Sequence, residues 1–253
     1  MVDTLVAPPR WLAPLAGALA NAGRLLLCFP YGGGGTSAFN DLSRLADVGV
    51  ATWAVKLPGR EDRGLEAPAT RVEPLIEAII DELQGVNVPY AFYGHSFGAG
   101  LALEVAHALA ERDQTLPTKL ILSGRMPPHV GYSPLLGAMD DHQLWQHVCS
   151  ESPLPLPPDA SCSFARHVLG KLKADLVLNG QLTYRFIRPL PVPLYILNGR
   201  DDPLLEPQRL DEWQRYTSAR FHSQCVPGGH FFFSSDFQRL YSPLLTTLDE
   251  QGS

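Results

Sequence analysis

Short runs of consecutive apolar residues alternate along the chain with longer segments in which apolar residues recur every three or four positions. Leu25–Phe29, Ala51–Val55, Tyr90–Tyr93, Leu120–Ser123, Leu194–Leu197 and Phe221–Val226 are the runs. Their brevity and mostly apolar character predict strands buried on both faces, as in a parallel sheet. Between them, Val72, Leu75, Ile76, Ile79, Ile80 and Leu83 fall on one face of a predicted helix. A second helix is predicted from Phe97, with Leu101, Val105, Ala108 and Leu109 as its apolar stripe. The alternation is regular to about Arg125, which predicts an α/β fold: a mostly parallel central sheet flanked by helices.

The rhythm then breaks. No strand is predicted between Met126 and about Arg188. Helical patterns at Asp140–Cys149 and Phe164–Asn179 are divided by Ser152-Pro153-Leu154-Pro155-Leu156-Pro157-Pro158, too rich in proline to be helix. Alternation resumes at Pro193. The simplest organisation is a single domain over 1–253, with a core of 1–125 and 189–253 and a helical insertion, 126–188, placed to act as a lid.

Composition narrows the function classes. The net charge of −6, from 26 acidic against 20 basic side chains, argues against a nucleic-acid binder. No uninterrupted apolar stretch reaches the ~18 residues of a membrane span. Trp11–Ala22 ends in small residues, as a secretory leader does, but Asp3 and Pro14 oppose that reading and a core-like strand follows at once. A cytoplasmic protein is therefore expected. Its four cysteines, Cys28, Cys149, Cys162 and Cys225, match no metal or redox spacing and read as buried free thiols.

Gly94-His95-Ser96-Phe97-Gly98 carries the chemistry. It lies between a predicted strand and a predicted helix, where a nucleophile elbow places its serine on a sharp turn flanked by small residues. A serine at its ordinary pKa needs a base held by an acid, in the chain order Ser, Asp or Glu, His. Among the eight histidines, His230 alone stands in a glycine-flanked loop after the last strand, in Gly228-Gly229-His230. His95 should point away from the nucleophile, and the other histidines read as surface or packing residues. The acid follows the strand Leu194–Leu197, in Gly199-Arg200-Asp201-Asp202-Pro203. Asp202 is favoured, with Asp201 as a turn-forming alternative.

An oxyanion hole needs backbone N–H groups aimed where negative charge develops. Phe97, directly after the nucleophile, supplies one. The loop Phe29-Pro30-Tyr31-Gly32-Gly33-Gly34-Gly35 is placed to supply the other. It lacks the lysine of a phosphate loop and the spacing of a dinucleotide loop. Of 22 glycines and 23 prolines, glycines gather at these strand-end turns and prolines in the insertion and its borders.

These residues, with Leu57-Pro58-Gly59-Arg60-Glu61-Asp62-Arg63, Ser123-Gly124-Arg125 and His230-Phe231-Phe232, resemble the type II thioesterases of polyketide and nonribosomal peptide biosynthesis. Leu172-Lys173-Ala174-Asp175 resembles that family's lid helix. The resemblance implies an α/β-hydrolase fold with an inserted helical lid and a Ser96–Asp202–His230 triad. It places the second oxyanion N–H at Gly32. It also implies hydrolysis of acyl thioesters on the phosphopantetheine arm of carrier proteins, editing aberrant or stalled chains. No metal or bound cofactor is expected, and the protein should be a monomer without nucleic-acid or membrane partners. Tyr31 stands where the family usually has histidine and would wall the substrate entrance; Gly32 often is alanine. Arg60 and Arg63 are expected to pair with Glu61 or Asp62, and Phe231-Phe232-Phe233 to pack behind the catalytic loop. The competing functions are a medium-chain fatty-acyl thioesterase or carboxylester hydrolase on the same fold, and a hydrolase-fold binding module without activity.

Overall fold

The computed structural model describes residues 11–131, 135–152, 155–182 and 188–250. Seven strands form one sheet: β1 (Leu12–Ala16), β2 (Arg24–Phe29), β3 (Val50–Val55), β4 (Tyr90–His95), β5 (Leu120–Ser123), β6 (Leu194–Gly199) and β7 (Phe221–Val226). Their spatial order is β1-β3-β2-β4-β5-β6-β7. Every pairing is parallel except β1 against β3. All six predicted strands are present.

The strands form because their residues can be buried on both faces. In β2, Leu25, Leu27 and Phe29 join one apolar cluster with α1 (Val72–Leu83) and α2 (Phe97–Glu111). Leu26 and Cys28 face the opposite cluster, completed by Leu240, Leu244 and Leu248 of a C-terminal helix, Gln238–Asp249. This is the two-residue period of a strand with apolar layers above and below it. The predicted face of α1 is buried throughout, from Val72 to Leu83. Each such aliphatic side chain contributes roughly 1.5–3 kcal/mol relative to exposure.

At the sheet edges one strand appears that the apolar runs did not predict, and one expectation is corrected. The leader-like stretch contributes β1, whose Leu12 is fully buried, and the backbone N–H groups of Trp11 and Leu12 donate to the Glu82 carboxylate. β7 is not buried on both faces: as the last strand it exposes His222, Gln224 and Cys225. Cys225 is accordingly an exposed thiol, and Cys149 and Cys162 are only half-buried; Cys28 alone is buried.

Between β5 and β6 the described residues form helices and no strand. These are α3 (Leu135–Ala138), α4 (Asp141–Glu151) and α5 (Ser163–Gln181). Asp140 and Gln143 close a reciprocal capping box at the start of α4. Leu144, Trp145, Ala165, Leu169 and Leu172 form a separate small core, and Trp145 Nε1 donates to Pro157 O at 2.8 Å. The C-terminal part of α5 is anchored in the main core through Leu178. Pro153 and Leu154 of the expected proline divider lie outside the described residues. Among the described residues no helix is long and apolar enough to cross a membrane.

Strand order places the site. The chain leaves β2 for β3 on one side and returns to β4 on the other, so the C-terminal ends of β2 and β4 border a topological switch point. Open α/β sheets form their binding crevice there.

Candidate active site

The turn from β4 into α2 is strained at one residue. Ser96 has φ 54° and ψ −116°, a conformation that L-residues with a side chain rarely adopt. Its N–H donates to Ser123 O at 2.8 Å, and its carbonyl accepts from Ala99 N–H at 3.1 Å. The turn closes only because its flanks lack Cβ atoms. One on Gly94 would stand 2.4 Å from Gly98 O, and one on Gly98 would stand 2.0 Å from Phe29 O.

Asp202 and His230 meet from the loops after β6 and β7. His230 Nδ1 lies 2.7 Å from Asp202 Oδ2, with the residues 4% and 5% exposed. Asp202 Oδ1 accepts the Leu204 N–H at 2.9 Å, fixing the carboxylate. A neutral imidazole held this way carries its proton on Nδ1 and leaves Nε2 as the basic atom. Asp201 is exposed and ties the two loops through backbone: its N–H donates to Gly228 O at 2.9 Å and its carboxylate accepts Gly228 N–H at 3.3 Å. Of the two adjacent aspartates, Asp202 is therefore the histidine's partner. The loops abut so closely that a Cβ on Gly199 would lie 2.0 Å from Gly229 O.

Phe97 is the first residue of α2, so its N–H has no carbonyl partner one turn earlier in the helix. A Cβ on Gly32 would stand 3.9 Å from the Phe97 Cβ, which brings the glycine loop after β2 beside the elbow. Tyr31 packs edge-on against Phe231 at 4.8 Å between ring centroids, and Phe231 lies 5.0 Å from His230. Phe232 is buried in the core below. His95 points away from the elbow, with Nδ1 2.8 Å from Ser123 Oγ and its ring 4.8 Å from that of His230. Burial, and then the nearby His230, push the His95 pKa well below the ordinary imidazole value. It is a neutral support behind the site.

The arginines depart from expectation. Arg60 pairs with Asp175 on α5, both almost fully buried, and Arg63 pairs with Glu66 at 2.8 Å while its guanidinium lies 4.0 Å over Trp11. Asp62 instead binds Lys56 at 2.9 Å. Neighbouring residues in a turn point apart, so adjacency in sequence was a poor guide to pairing. Glu151 of α4 reaches toward the base's loop, its Oε2 4.0 Å from where a Cβ on Gly229 would lie. The charges of Glu151, His230 and Asp202 all reach His147, whose pKa is lowered mainly by burial. His147 and Glu151 are four residues apart, which puts both on one helix face. His129 is an exposed surface residue, paired with Glu212 at 2.6 Å.

A mostly parallel sheet that carries serine, aspartate and histidine in that order, here after β4, β6 and β7, is the α/β-hydrolase fold. The thioesterase domain model matches residues 24–246, and the chain belongs to that family. It is 32% identical over 82% of its length to the gramicidin S biosynthesis protein GrsT of Aneurinibacillus migulanus, of which 82% is covered. It is 30% identical over 87% of its length to the thioesterase PikA5 of Streptomyces venezuelae, covering 79% of that chain. Among solved structures it is similar to RedJ, a thioesterase from the prodiginine biosynthetic pathway in Streptomyces coelicolor. That likeness has a TM-score of 0.77 at 34% identity, over 91% of this chain and 88% of that one.

Proposed function

We propose that this chain is a type II thioesterase, releasing acyl groups from the phosphopantetheine arm of carrier proteins in polyketide or nonribosomal peptide synthesis. The observation that carries the proposal is the buried His230–Asp202 pair in a chain whose Ser96 sits on a strained elbow. The likeness to GrsT, PikA5 and RedJ supports the substrate class. The role is editing, the removal of aberrant or stalled chains.

In the proposed reaction His230 Nε2 takes the Ser96 hydroxyl proton as Oγ bonds to the thioester carbonyl carbon. The Phe97 and Gly32 N–H groups receive the oxyanion. The carbon–sulfur bond then breaks, the carrier's sulfur leaves as a thiol with the proton from His230, and an acyl-enzyme remains. Water gives a proton to His230, attacks the ester, and releases the free acid as Ser96 regains its proton. Nucleophile, base and oxyanion donors all come from the chain, so the scheme requires no metal or cofactor. Asp202 holds the imidazole and stabilises its charged form.

The chain works as a single domain, with the insertion 126–188 as a lid over the pantetheine arm and Tyr31, packed on Phe231, walling the entrance. It acts as a monomer in the cytoplasm, its partners the acyl or peptidyl carrier domains. Steady-state hydrolysis of acyl pantetheine thioesters and of matched oxygen esters tests the assignment. A kcat/KM at least ten-fold higher for thioesters is expected; a preference for esters overturns it.

A further inference from the structure

The glycine loop that carries Gly32 does not hold its own shape. Four successive glycines, 32–35, have the greatest conformational freedom a backbone can have, and an oxyanion donor must be aimed before the reaction starts. What fixes the loop comes from outside it. Asp175 Oδ2, on α5, accepts the Gly33 N–H at 2.7 Å. Arg60 donates from Nε to Gly34 O at 2.6 Å, from Nη1 to Pro58 O at 3.0 Å, and from Nη2 to Asp175. Glu61 Oε1 accepts the Thr36 N–H at 2.8 Å, closing the far end of the loop. Leu172, one turn before Asp175, stands 3.3 Å from where a Cβ on Gly32 or Gly33 would lie. Arg60 and Asp175 are 3% and 1% exposed. A buried ion pair adds little net stability beyond what apolar packing would give, so the pair is poorly explained as ballast. Its hydrogen bonds instead take hold of Gly33 N–H and Gly34 O, in the two residues that follow Gly32.

We propose that Arg60, Glu61 and Asp175 are positioning residues that aim the Gly32 N–H at the oxyanion, and that Asp175 makes this aim conditional on α5 being seated. The proposal rests on Gly32 being an oxyanion donor. Arg60 and Glu61 act from the loop after β3. Asp175 acts from the helical insertion, so the same helix that covers the site completes its oxyanion loop. Displacing α5 withdraws the acceptor from Gly33 N–H and leaves the Arg60 guanidinium without its carboxylate. The glycine loop then relaxes, and an uncovered site is an inactive one.

The test uses the full chain with Asp175→Ala, Asp175→Asn and Glu61→Ala. Three quantities are read: kcat and KM for a small acyl thioester, affinity for an alkylboronic acid, and affinity for a thioether lacking the carbonyl. The boronic acid forms a tetrahedral adduct on the serine and places an oxygen in the hole; the thioether binds without using it. For Asp175→Ala, kcat should fall roughly 30- to 100-fold with KM changed less than about three-fold. Boronate affinity should fall in step with kcat, and thioether affinity should hold. Asp175→Asn keeps an acceptor for Gly33 N–H and should recover part of the loss. Glu61 is exposed, so Glu61→Ala reports on the clamp even if the Asp175 variants fail to fold; a loss of roughly five-fold in kcat and boronate affinity is expected. Unchanged kcat in folded variants, or equal losses for boronate and thioether, overturns the proposal. Ser96→Ala separates the two readings, since boronate binding that survives it refutes the nucleophile rather than the clamp.

Discussion

Gly98→Ala puts one methyl group where the elbow touches the strand that leads to the glycine loop. The added Cβ would stand 2.0 Å from Phe29 O and 2.6 Å from Pro30 O, whereas real Cβ contacts essentially never fall below 3.0 Å. Both obstacles are backbone, so no side chain can rotate away. α2 and the end of β2 must part by roughly 1 Å, and the gap opens between the Ser96 turn and the loop bearing Gly32. Overpacking of this kind costs about 1–3 kcal/mol of stability, and ~1 Å misplacement of catalytic groups lowers kcat about 100-fold. For a chain of this size the melting temperature should fall by about 2–12 °C. Gly170→Ala is the control: the site is in α5, nothing lies within 4 Å of the new Cβ, and replacing a helical glycine stabilises by roughly 0.5–1 kcal/mol. Thioester hydrolysis and thermal melting of both variants give the answer. Wild-type kcat in Gly98→Ala would refute the close packing of elbow against strand.

Asp202→Asn should reduce kcat by about 10³–10⁴, because the amide favours the wrong imidazole tautomer; Asp201→Asn, which loosens only a turn, should cost less than about ten-fold. Comparable losses in both would refute the assignment of Asp202. His107 is held neutral by burial, its pKa lowered to about 4. Between the unfolded value near 6.5 and that folded value, the unfolded chain binds the extra proton, so stability is full above about pH 6.5 and falls as pH drops. The loss amounts to roughly 2 kcal/mol by pH 5. His107→Gln should flatten urea-unfolding stability between pH 7.5 and 5 by that amount, and an unaltered pH dependence would contradict it.

The parts of this molecule legible in the sequence are those fixed by local pattern. Buried parallel strands announce themselves as apolar runs, and the elbow, acid and base each follow a strand in glycine-bearing turns. Position in the sheet is not local, and there the reading failed. β7 resembles the inner strands until its place at the edge exposes Cys225, and β1 went unpredicted because Leu12–Ala16 is short and interrupted by Pro14. Pairing across long separations was equally hidden. Arg60 has two carboxylates directly after it, yet it reaches Asp175, because burial of the guanidinium against the glycine loop points it toward α5.

In the proposed function Ser96 releases acyl groups from a carrier's pantetheine arm. Intact-protein mass spectrometry of acyl-loaded carrier proteins, before and after exposure to the wild-type chain and to Ser96→Ala, tests it most directly. The wild-type chain should remove the acyl mass and yield the free thiol carrier and the free acid, and the variant should change nothing. Equal release by Ser96→Ala, or an untouched acyl carrier alongside rapid hydrolysis of simple esters, would contradict it.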